Sequence, residues 1–345
     1  MSTEAVNWTS NLEFSQKHKL EEAVYNNDGA MKKIIYIAPH LSTGGLPQYL
    51  YKKIEKFNAV ADVYCVEYSF FGNSYVVQRN KISDLLGDKF IPLYDDKDRI
   101  FEIINNINPD IIHFEEFSES FVDPNILNKL YSPDRKYLIC ETCHGSDIPV
   151  SSKYYRPDKF IMVSDWIDKK FSTLGIPSEV LEYPIEDLMP LKKHHMDLLR
   201  LSPDLKHVVN IGLFTAGKNQ KEIIEYAKKT SHLPIMYHFV GNTAENFRDY
   251  WEPIIKELPS NCKMWGERSD VDSFYQSADL FLFTSVFELN PLSIKEALSW
   301  KLPCMFRKLD TYLDTYDNFD NVHYIDDDIE SNVSKIIKIL GLDGN

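Results

Sequence analysis

Residues 278–298 read ADLFLFTSVFELNPLSIKEAL: an apolar run, a short interruption, then a stretch with helical periodicity. The opening run has the length and apolar character of a buried strand. Proline is favoured at a first helical position, so the helix is expected to begin near Pro291. Glu288 then sits in the loop at the strand's carboxyl end. Glu296 lies over a turn into the helix, on a face that can look back at the same pocket. Carboxylates so placed can accept hydrogen bonds from sugar hydroxyls. The amides of Leu292 and Ser293, unpaired at a helix start, can meet a phosphate. Two glutamates at one spacing are common on surface helices; the strand before them and the NPLS between them make this pair more specific.

The same strand–loop–helix unit repeats on both sides of that stretch. Upstream come KKIIYIA (32–38), ADVYCVEY (61–68), KFIPLY (89–94), PDIIHF (109–114), KYLICET (136–142) and KFIMVS (159–164). Nearer by are HVVNIGLF (207–214), IMYHFVG (235–241) and NCKMWG (261–266), with LPCMFR (302–307) and NVHYID (321–326) following. Amphipathic segments such as KDRIFEIINNIN separate them. Such alternation predicts an α/β class with parallel sheets and crossover helices. The expected organisation is an N-terminal helical extension over 1–30, a Rossmann-like domain over 31–186, a connection over 187–206 and a second Rossmann-like domain over 207–345. The connection lacks a strand pattern and carries two prolines. The extension holds a polar helix at about 10–25, read as a surface appendage.

The 345-residue length suits two such domains. The net charge of -14 argues against general nucleic-acid binding, which rests on neutralised phosphates. No apolar leader is read at the N-terminus, and no run approaches the ~18 residues of a membrane span. Five cysteines, an odd and scattered number, suit reduced thiols, so a cytoplasmic location is expected. Cys140–His144 fits the C-x-x-C-H haem-attachment spacing, but no export signal accompanies it. A zinc site would want a second cysteine or histidine pair, which Cys65, Cys262 and Cys304 do not supply.

Three further loops carry candidate chemistry. Ser42-Thr43-Gly44-Gly45 follows the first strand, and its glycines allow either a plain turn or close approach to a phosphate. It is not the dinucleotide fingerprint G-x-G-x-x-G. His144 follows the strand 136–142 at a ligand-binding sheet edge, either as a functional group or as a loop anchor; Ser146 and Asp147 share its loop. Lys218 opens a helix after a glycine-containing loop, either solvated or meeting a diphosphate.

With these residues in view, the chain resembles the retaining glycosyltransferases of GT-B architecture, in which two Rossmann-like domains face each other. The resemblance runs from about 32 to 340 and is most specific in FELNPLSIKEALSWKLPCM, similar to the family's E-x7-E stretch. It implies that Gly44 and Gly45 approach the donor phosphates and that His144 faces the transferred sugar. It implies that Lys218 neutralises the diphosphate, Glu288 lies beside the sugar and Glu296 holds the ribose. Gly266 and Glu267 fall where the backbone reads the nucleobase, and Pro291, Leu292 and Ser293 belong to the donor site. The implied activity is transfer of a sugar from a nucleotide diphosphate-sugar to a saccharide, lipid-linked or other acceptor, with retention, without metal or cofactor. A sugar-nucleotide epimerase, a phosphorylase or a non-catalytic binding protein are the alternatives. The family's arginine after the strand glycine is missing here: Leu213 follows Gly212. Asp326–Asp328 is read as helix-capping acid rather than a metal-binding D-x-D.

Overall fold

A computed structural model describes residues 31–42, 44–70, 76–145 and 149–343. The helix expected at about 10–25, together with Thr43, Ser146 and Asp147, lies outside the described residues. The chain divides into two compact units, one ending at Tyr183 and one beginning at Pro184.

The first unit contains β1 (Lys33–Ala38), β2 (Asp62–Glu67), β3 (Phe90–Pro92), β4 (Ile111–Glu115), β5 (Leu138–Thr142), β6 (Lys159–Met162) and β7 (Ser178–Val180). They form one sheet in the order β3-β2-β1-β4-β5-β6-β7, and every recorded pairing is parallel. Strands covered on both faces must be apolar without interruption, which is why IIYIA is buried throughout. Alternate side chains feed opposite cores. Ile35 and Ile37 join Ile112 and Phe114 on one face, whereas Ile34 and Tyr36 join Leu50 and Ile54 on the other. The helix Arg99–Ile107 closes the first core with Ile100, Ile103, Ile104 and Ile107, a spacing that lines one helical stripe. It ends where Asn108 turns left-handed.

The second unit contains β8 (Lys206–Ile211), β9 (Ile235–Val240), β10 (Cys262–Gly266), β11 (Leu280–Phe283), β12 (Cys304–Arg307) and β13 (Val322–Ile325), in the order β10-β9-β8-β11-β12-β13. Its pairings are likewise parallel. Leu280 and Leu282 pack with helices Gln220–Lys229 and Ile329–Ile339, while Phe281 and Phe283 pack under helices Val271–Ser277 and Leu292–Ser299. The last of these stretches is the strand, loop and helix read from 278–298.

In both sheets the strand order reverses at the first strand of the unit: β1 lies between β2 and β4, and β8 between β9 and β11. Connections leaving β1 and β4, or β8 and β11, therefore diverge to opposite faces and leave a crevice at the strands' carboxyl ends. Next to the second crevice the backbone is unusually close. A Cβ on Gly241 would lie 2.0 Å from the carbonyl oxygen of Gly212, and Gly241 has φ +148°. No other residue type fits there.

Residues 187–206, expected as a connection, hold a helix at Lys192–Leu199 that belongs to the second unit. His195 hydrogen-bonds Ser273 at 3.0 Å, and Lys192 pairs with Asp279 at 2.7 Å, so side-chain contacts hold a segment that lacks strand pattern. The acidic run caps the final helix: Asp328 accepts from the Ser331 amide at 2.9 Å, and Asp326 pairs with Lys335. Cys65, Cys140, Cys143, Cys262 and Cys304 are free and buried. Among the described residues no helix is long and apolar enough to cross a membrane.

Candidate functional site

At the crevice of the second unit, two residues singled out from sequence meet directly. Lys218 lies in the turn after β8, and the helix begins two residues later, at Gln220, rather than at Lys218 itself. Its Nζ donates to Oε1 of Glu288, in the loop after β11. The two loops are stitched together behind this pair. Ser285 Oγ donates to Glu288 Oε1 at 2.6 Å, Thr284 Oγ1 to the carbonyl of Asn219 at 2.9 Å, and the Val286 amide to the carbonyl of Gly217 at 2.9 Å. The Lys218 ammonium also lies 5.1 Å from the Phe283 ring centroid. Both charged side chains keep some solvent exposure, so either can exchange its partner for a ligand.

Pro291 caps the next helix, Leu292–Ser299, and no side chain completes the cap. The Ile294 and Lys295 amides turn back to the Pro291 carbonyl, leaving Leu292 and Ser293 as the donors at the helix start. Glu296 lies in this helix and accepts from Tyr275 Oη at 2.9 Å, which fixes it against the neighbouring helix. Gly266 and Glu267 lie at the end of β10, two strands from β8. Burial pushes the Glu267 carboxyl up, and its Oε2 has no hydrogen-bond partner among the described residues.

Sequence reasoning missed two neighbours of this kind. Asn242, just past β9, is 2% exposed, yet both its amide oxygen and its amide nitrogen lack partners among the described residues. Asn290 Oδ1, two residues after Glu288, is likewise unpaired. A buried polar group without a partner costs free energy on the order of 1–3 kcal/mol. Glu267, Asn242 and Asn290 all lie just past strands of this one sheet. Arg268 is forked onto Asp270 at 2.7 Å, and Arg307 is paired with Glu222.

The first unit supports its own loops with buried charge. The Leu41 amide donates to Glu67 Oε1 at 2.7 Å, and Arg79 clamps both oxygens of the same carboxylate. That contact fixes the approach to Gly44, whose φ of +132° requires glycine, and to Gly45, the first residue of the helix Gly45–Phe57. His144 follows β5 and packs against Tyr49 of that helix, with ring centroids 5.1 Å apart. Its Nε2 lies 3.1 Å from Glu115 Oε2, and Glu115 is fully buried. Lys53, also buried, holds the other oxygen at 2.6 Å. Although burial opposes ionisation of Glu115, Lys53 and the two histidines keep its carboxyl well below the usual range. Burial, with Lys53 beside it, pushes His113 down to about 3. Sequence reasoning did not single out Glu115, one of three acids in FEEFSESF (114–121).

Among the described residues no cluster of three or more metal-ligating side chains occurs. The donor set at the second crevice, a lysine with carboxylates and amides, suits a sugar and an anion.

Residues 194–343 match the family described as Glycosyl transferases group 1. The chain is 28% identical over 178 residues to an alpha-galactosylglucosyldiacylglycerol synthase of Streptococcus pneumoniae, covering 47% of each chain. It is 26% identical over 143 residues to a processive diacylglycerol alpha-glucosyltransferase of Acholeplasma laidlawii, covering 41% of each. The chain thus spans about half the length of the curated relatives it matches. Among solved structures, Anabaena HepE in complex with UDP-glucose superposes with a TM-score of 0.70 at 14% identity, covering 90% of both chains. A glycosyltransferase from Rickettsia africae superposes at 0.66 with 17% identity, covering 91% of this chain and 89% of that one. The solved structures share the fold of two parallel-sheet α/β domains.

Proposed function

We propose, from the similarity of residues 194–343 to the group 1 glycosyl transferases, that the chain transfers a sugar from a nucleotide diphosphate-sugar to a hydroxyl acceptor and retains the anomeric configuration. The observation that carries this reading is the Lys218–Glu288 pair at the β8/β11 crevice. Before donor binds, each side chain neutralises the other. A diphosphate draws Lys218 away, because a polyanion offers it more negative charge than one carboxylate. Glu288, held by Ser285, is then left to accept hydroxyls of the transferred sugar.

As the glycosidic bond breaks, charge grows on the leaving diphosphate. Lys218 and the amides of Leu292 and Ser293 are preorganised donors for that charge and need no metal ion. Glu296, braced by Tyr275, takes the ribose hydroxyls. Gly266 and Glu267 face the base, and the Asn242 amide and Asn290 Oδ1, unpaired among the described residues, serve the same donor. Within the first unit, the same reading gives Gly44 and Gly45 to phosphate approach and His144 to a sugar hydroxyl.

The test is a thermal-shift screen of the whole chain against nucleoside diphosphates and their sugars, followed by release of labelled sugar from the best binder. A ligand that binds the folded state raises apparent stability. The expected result is stabilisation by one nucleoside diphosphate and slow donor hydrolysis that an acceptor accelerates. No stabilisation and no sugar release with any donor would overturn the proposal.

A further inference from the structure

We propose that Glu115 is a positioning residue: it holds His144 with the proton on Nε2, so that Nδ1 is presented as a hydrogen-bond acceptor. The inference rests on the reading of His144 as the residue facing the sugar, and adds how that ring is aimed. Glu115 ends β4, His144 follows the adjacent β5, and the 3.1 Å contact joins them across the sheet edge. An ionised carboxylate only accepts hydrogen bonds, so the imidazole nitrogen that meets it must carry the hydrogen. A neutral ring then has its lone pair on Nδ1, which has no partner among the described residues.

The carboxylate is kept ionised from the other side. Lys53 Nζ reaches Glu115 Oε1 at 2.6 Å and Thr142 Oγ1 at 3.0 Å, and His113 Nε2 lies 2.8 Å from that hydroxyl. Tyr49 packs edge-on to the His144 ring, and its own hydroxyl is tied to the Leu181 carbonyl at 2.8 Å. The His144 amide donates to Glu116 Oε1 at 3.3 Å, and Glu116 itself has a φ of +138°, rare for a residue with a side chain. Backbone strain at such a position persists where the surroundings over-determine it. The ring is thus set by one carboxylate, one aromatic edge and a constrained backbone. An acceptor nitrogen so held suits a sugar hydroxyl, which can donate to it, and disfavours an oxyanion.

The test is nitrogen NMR of the full chain labelled with 15N-histidine, with His144 assigned through H144N. Wild type is expected in the Nε2–H form. E115Q, whose amide can donate, and E115Q/K53M, which also removes the buried ammonium, are expected to move His144 toward Nδ1–H. In both variants kcat for transfer should fall roughly 10–100-fold with donor KM changed little, since orientation rather than donor affinity is lost. An Nδ1–H ring in wild type, or a tautomer unmoved in both folded variants, overturns the proposal. Lack of any transfer by wild type would sink the glycosyltransferase reading instead and leave the tautomer measurement standing.

Discussion

Lys218 and Glu288, seventy residues apart in sequence, share a hydrogen bond that ties the turn after β8 to the loop after β11. The pair spans the point where strand order reverses, so removing either partner tests the site rather than a surface contact. Lys218→Met should weaken nucleoside diphosphate binding by about 10–100-fold, the range of a charge-assisted hydrogen bond of roughly 1.5–3 kcal/mol. The unphosphorylated nucleoside should bind K218M and wild type alike. Titration calorimetry with both ligands checks this, and equal losses for both would remove Lys218 from the phosphates.

Glu296 is expected to act on the ribose. Tyr275→Phe removes the 2.9 Å hydrogen bond that braces it, and Glu296→Ala removes the carboxylate. Donor KM should rise about 10-fold in E296A and less in Y275F, roughly the 0.5–1.5 kcal/mol of an ordinary hydrogen bond in the second case. A 2′-deoxy donor should narrow the gap between wild type and E296A. Unaltered discrimination between ribose and deoxyribose donors would argue against the assignment.

Lys218, Glu288 and Glu296 stood out as candidates in sequence because their evidence is local. The strand, the proline and both glutamates fall within one βα unit, and Lys218 follows the strand glycine of another. Glu115 was not legible. It looks like one acid among several in FEEFSESF, and only the register of β4 against β5 brings it to His144. Asn242 and Asn290 were hidden for a related reason, since an unsatisfied amide is a property of its surroundings and not of its neighbours in sequence. The helix within 187–206 was not legible because it is short and two prolines flank it, while its attachment runs through Ser273 and Asp279 far along the chain.

Two buried histidines predict acid sensitivity. Burial, with a nearby cation in each case, pushes His113 and His238 down to about 3 from the ordinary 6.5. Between those values the unfolded chain binds protons that the folded chain refuses. The stability held above pH 6.5 is therefore lost as pH falls, by up to about 1.4 kcal/mol per unit for each histidine. Urea unfolding followed by tryptophan emission, at about pH 7.5, 6.5 and 5.5, should show this slope, and His238→Gln should flatten it. An H238Q slope equal to that of wild type would rule His238 out as a source.

Gly241 should tolerate nothing larger. Gly241→Ala places a Cβ against the Gly212 carbonyl and forces a φ of +148° on an L-residue. The expected loss is roughly 3 kcal/mol or more, the scale of strain plus overpacking, read as a fall in Tm. Because β8 and β9 would separate at their carboxyl ends, nucleotide affinity should fall with it.

Asn242 separates stability from function most cleanly. Its two unpaired amide atoms are a cost to the folded chain unless a ligand pairs them. Asn242→Leu, of similar volume, removes that cost, so Tm should be unchanged or raised. Donor affinity should drop about 10-fold, as expected when a site built to hydrogen-bond loses its donor and acceptor. A residue kept only for packing would show the reverse pattern, a lower Tm with unaltered binding. Sites that bind polar ligands accept such a trade, because a group satisfied in advance by the protein has nothing left to offer the ligand. Donor titration of N242L beside its melting curve decides between the two, and unaltered affinity would take Asn242 out of the donor site.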